Sequence, residues 1–148
     1  MVICDVNIHR VAVPRIYTTK VAPAGGHGDG KAGSEYVLIE MMADEGAVGL
    51  GEISDIEPEW GDVSWDAIGD LIAGAVLGRS VNRRTDALDA VRSSLPRSLH
   101  RELGTAIPAA VEAALIDVAA RTYSVPVYEL LGGAYRSRVA VSWVAYIR

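Results

Sequence analysis

The sequence predicts an α+β fold, a three-stranded antiparallel meander followed by a helical bundle. Three observations predict it. Alternating hydrophobicity of period two is confined to residues 2–53. Apolar faces at helical spacing fill the middle of the chain. A final stretch, residues 139–147, is almost continuously apolar, the pattern of a strand buried on both faces.

Each element has a local reason. Residues 2–13 read as a strand with Val2, Cys4, Val6 and Ile8 on one side and Asp5, Asn7 and His9 on the other. Pro14 lacks a backbone donor and ends or edges that strand. Cys4, the only cysteine, excludes an internal disulfide and is expected as a small buried hydrophobe. Residues 21–34, VAPAGGHGDGKAGS, have no period and little side-chain mass, so a mobile surface loop is expected there. Strands follow at 36–42 and 48–53. The short Asp44-Glu45-Gly46 turn between them forces an antiparallel pairing, with Gly46 free to take positive φ.

After the connector at 57–62, Ser64 is placed to cap a first helix. Its apolar face is Trp65, Ile68, Leu71, Ile72, Ala75 and Val76, and Gly78 stops it. A second helix, capped by Asn82 or Thr85, carries Leu88, Val91 and Leu95 and ends at Pro96. A third is expected from about residue 105 to 123, facing the core with Ile107, Ala110, Val111, Ala114, Leu115 and Val118. Pro108 would then fall in its first turn, where the missing N–H costs little. A short helix at 126–131 stops at Gly132-Gly133.

Composition excludes several functions. The 148 residues suit one domain. A net charge of −5 with scattered Lys and Arg gives no basic face for nucleic acid or an anionic membrane. There is no leader pattern, and no apolar run is expected to cross a bilayer, so the expected location is cytoplasmic. Gly28-Asp-Gly30-Lys-Ala-Gly33 satisfies a nucleotide-binding glycine pattern, and residues 25–31 nearly satisfy a second. Both patterns work by opening a helix, whereas here a strand follows. His9, His27 and His100 lack metal-ligand spacing.

Three segments carry a resemblance. GAVGLGEIS (46–54) resembles the third-strand motif of the mandelate racemase/muconate lactonizing enzyme family of the enolase superfamily. AALIDVAAR (113–121) is similar to that family's main cap helix, and PVYELLGG (126–133) to the short helix that leads into its barrel. Together, in this order, they make the chain resemble an enolase N-terminal-like capping domain over residues 1–133. Residues 134–148 then resemble a linker and the first strand of an otherwise absent (β/α) barrel.

The resemblance implies a Mg²⁺-dependent racemase, cycloisomerase or acid-sugar dehydratase that abstracts a proton next to a carboxylate, with Mg²⁺ and the base held by the barrel. It implies no catalytic or metal-ligating residue in this chain and no cofactor for it alone. The implied partners are a catalytic barrel domain or chain, a small carboxylate substrate and further copies of the chain. The substrate-facing residues it implies are Ile16, Tyr17, Gly26 and His27 in a covering loop, and Ile53 and Ser54 in a second specificity loop. Glu52 and Asp117 are expected to make structural hydrogen bonds. The competing class is a catalytically inactive free-standing binding or interaction domain, separable from an enzyme cap by whether a barrel co-purifies.

Overall fold

The computed structural model describes residues 1–19 and 31–142. Three strands, β1 (Ile3–Thr19), β2 (Lys31–Ala43) and β3 (Val48–Ile53), form one antiparallel sheet in the order β1-β2-β3. A short 3₁₀ turn (Pro58–Trp60) leads to α1 (Trp65–Val76), α2 (Arg84–Ser94), α3 (Arg101–Thr122) and the one-turn α4 (Val127–Leu130). The α+β meander-then-helices reading holds.

Alternation along β2 sends Val37, Ile39, Met41 and Ala43 into the core against the helices. The turn to β3 closes as expected, with Gly46 at φ +87° and its N–H donating to the Ala43 carbonyl at 2.8 Å. The core joins these strand residues to Ile68, Ile72 and Val76 of α1, Leu88 and Val91 of α2, and the apolar face of α3.

The meeting of α3 with β3 decides the architecture. A Cβ at Gly49 would lie 2.4 Å from the Ala114 carbonyl, and one at Gly51 only 1.8 Å from the Ala110 carbonyl. The two glycines face the core beside Ile53, and their bare backbone lets α3 lie directly on the strand. The alanines of α3 contribute the matching small surface, so the motif at 46–54 and the helix at 113–121 are two halves of one contact.

Several local expectations change. Between Ile3 and Asp5 the register slips. The extra residue puts Ile3 on the face shared by Val6 and Ile8 and turns Cys4 outward, so Cys4 is exposed rather than buried. β1 runs past the expected residue 13 to Thr19, and of the two readings of Pro14 the edge one holds, because β1 is an edge strand and tolerates a missing donor. Residues 31–34, expected in the loop, begin β2. That strand start also removes the helix both glycine-rich nucleotide patterns require.

The caps differ as well. Ser64 caps α1 as read, accepting from the Ala67 N–H at 3.3 Å. Neither Asn82 nor Thr85 caps α2. Asn82 Oδ1 instead accepts the Tyr123 hydroxyl at 2.7 Å, and Thr85 lies inside the helix. α3 starts four residues earlier than expected, capped by His100, whose Nδ1 accepts from the Glu102 N–H at 3.3 Å. Pro108 is therefore interior, not in the first turn.

By length and composition α3 qualifies to cross a membrane, contrary to the expectation that no run does so. Here it is the core helix, with more than half of its apolar window buried. Residues 139–142 carry no regular structure, with Val139 and Val141 exposed, so the described part of the expected final strand is not a strand. Residues 143–148 lie outside the described residues.

Candidate functional site

Antiparallel order brings three chain segments to one end of the sheet. The register runs Arg10 to Val37 to Ile53 across the strands. Beyond it lie the outgoing part of β1, the start of β2 and the residues that follow β3. The sequence-predicted positions gather here in part. Ile16 stands almost fully in solvent, 98% exposed. Tyr17 continues the β1 backbone. Ser54 is exposed immediately after β3, and its hydroxyl donates to Glu52. Gly26 and His27 lie outside the described residues.

Ile53 is a correction. Its side chain is 1% exposed, because strand alternation puts it on the core face with Gly49 and Gly51, opposite Val37. Of the expected Ile53–Ser54 pair, Ser54 alone is presented at the surface.

Arg15 ties the three segments together. Its Nε and Nη2 donate to Ser34 Oγ at 2.9 and 2.8 Å, and Nη2 also donates to both Asp55 carboxylate oxygens, the nearer at 3.0 Å. Ser34 is the one buried polar residue among the described residues, and the guanidinium satisfies it. The Ile56 N–H donates to the Glu35 carbonyl at 2.8 Å, a backbone tie between the same turn and β2. On the helix side of this cluster lies an open cleft of about 660 Å³, lined by Arg10, Ala12, Pro14, Ser34, Ile56 and Trp65 among others.

Sequence reading missed Arg15 and Ser34. Arg15 follows a proline that ends or edges the strand in the sequence pattern, and its carboxylate partner is 40 residues away. Of the two carboxylates flanking Ile53 and Ser54, Asp55 is thus engaged in an ion pair and Glu52 in a hydrogen bond. Asp117 is structural, as read. It accepts the Leu50 N–H at 3.0 Å on the outer edge of β3 and pairs with Arg121 one helical turn on. Among the described residues no cluster of three or more His, Cys, Asp or Glu is arranged to hold a metal ion.

Residues 15–132 match the family model described as mandelate racemase / muconate lactonizing enzyme, N-terminal domain. The chain belongs to that family. Among curated relatives, a chloromuconate cycloisomerase of Cupriavidus pinatubonensis is 36% identical over 114 residues, covering 72% of this chain and 28% of the relative. A D-mannonate dehydratase of a Sphingomonas species is 33% identical over 109 residues, covering 74% of this chain and 26% of the relative. Among solved structures, a mandelate racemase/muconate lactonizing enzyme of Roseovarius nubinhibens complexed with magnesium superposes with a TM-score of 0.71 at 25% identity. It covers 95% of this chain and 35% of that one. The chain therefore spans under a third of the length of these curated relatives.

Proposed function

We propose that this chain is the capping and specificity domain of a Mg²⁺-dependent cytoplasmic enzyme that abstracts a proton next to the carboxylate of a small substrate, as a racemase, cycloisomerase or acid-sugar dehydratase. In this reading the metal and the base belong to a (β/α) barrel. The domain division at residue 133 follows the end of the small helix at Gly132-Gly133, and residues 134–148 lead toward the barrel.

The observation that carries the reading is the convergence of Ile16, the Arg15–Ser34–Asp55 cluster and Ser54 at one end of the sheet. An exposed apolar group and a surface hydroxyl at the same end of the sheet suit a surface that faces a substrate and excludes water from it. A second observation supports a covering partner. Leu131, Tyr135, Val139 and Val141 form an exposed apolar run after α3, which a barrel surface would bury.

The test is a chimera in which residues 1–133 replace the matching segment of the C. pinatubonensis cycloisomerase. The expected result is a folded enzyme that keeps the relative's reaction but reorders kcat/KM across related carboxylates. A folded, active chimera whose specificity is unchanged counts against the specificity role.

A further inference from the structure

We propose that Arg15 is a positioning residue that latches the outer part of β1 to the turn following β3, so that residues 15–19 and 54–57 hold or loosen as one unit. The reason begins with Pro14. The β1–β2 register is regular up to the Pro14–Gly33 pair, then slips, and the next pair is Thr19 with Lys31. Residues 15–18 thus run past β2 without a regular ladder to fix them. Arg15, at the start of this gap, supplies the missing tie through its side chain.

The geometry suits arginine alone. One guanidinium donates from two nitrogens to the buried Ser34 hydroxyl on β2 while Nη2 reaches the Asp55 carboxylate. A lysine ammonium has no such planar fork. The Arg15 side chain is 23% exposed and that of Asp55 40%, so water weakens the pair only in part. Asp55 itself sits at φ +48°, in the left-handed region that an L residue enters at a cost. The ion pair and the Ile56–Glu35 backbone bond, both directed at the same turn, oppose its relaxation.

The latch fixes the spacing between Ile16 and Ser54, each one residue from a latch member. Its consequence for specificity rests on the function proposed above; the latch itself does not. A substrate edge built from two chain segments selects by shape only when their separation is fixed.

The experiment is amide hydrogen exchange on the 148-residue chain, comparing wild type with Arg15→Gln, Asp55→Asn and the double variant. Asp55→Asn is the mild arm, because asparagine keeps the shape and tolerates positive φ. Each single substitution is expected to speed exchange about tenfold in both 15–19 and 54–57, the Ile56 amide included, while α3 is unchanged. The double variant is expected to speed exchange by clearly less than the product of the two single effects, the signature of a shared interaction. Loosening confined to the substituted segment, or strict additivity in the double variant, overturns the latch. Because exchange requires no turnover, this result stands or falls separately from the chimera.

Discussion

At Gly51 an added Cβ would sit 1.8 Å from the Ala110 carbonyl oxygen, a separation only backbone movement can relieve. Gly51→Ala is expected to destabilise the fold by about 3 kcal/mol or more, read as a lowered urea midpoint. Asp117 shows how one carboxylate serves an edge strand. Asp117→Ala leaves the Leu50 N–H without its acceptor and is expected to cost roughly 1–2 kcal/mol, whereas Asp117→Asn keeps an oxygen there and costs less. At this scale the sequence was readable where a residue acts through its neighbours. Ser64 as a cap and Gly46 in a turn follow from two or three adjacent residues. Cys4, Ile53 and Arg15 were misread or missed because their environment is set from a distance. A one-residue register slip turned Cys4 outward. The close seat of α3 on Gly49 and Gly51 makes the β3 face carrying Ile53 a core face. A carboxylate 40 residues on gives Arg15 its role.

For whole elements, the decisive quantity is where backbone groups find partners. Pro108 inside α3 removes the N–H that would reach the Gly104 carbonyl, and Gly104 lies exposed on the helix with open space around a virtual Cβ. Gly74 in α1 is similarly open. Gly74→Ala and Gly104→Ala are each expected to raise stability by about 0.5–1 kcal/mol, visible as a higher melting temperature and opposite in sign to Gly51→Ala. The start of α3 hinges on His100, which caps the helix and stacks on Trp60 at 6.2 Å between ring centroids. His100→Ala is expected to cost about 1 kcal/mol and to increase amide exchange in the first turn of α3. Histidine is an uncommon cap, which is why the helix start was read four residues late and Pro108 was placed in its first turn. The strands and the faces of α1 and α3 were legible because their periods run through many residues; their ends were not, because single contacts set them.

Across the whole molecule, the sheet is covered by helices on one face and gathers its strand ends at one edge, while apolar side chains after α3 stand exposed. That exposed run predicts concentration-dependent self-association of the isolated chain, which Leu131→Ser with Tyr135→Ser should reduce on size-exclusion chromatography. It also fits a division of labour in which this domain shapes the entrance and a barrel performs the chemistry. The most direct test is α-proton exchange of small carboxylates in D₂O with Mg²⁺, followed by proton NMR with the purified 148-residue chain alone. The account predicts no exchange above the uncatalysed background. Mg²⁺-dependent loss of the α-proton signal with this chain alone would contradict it.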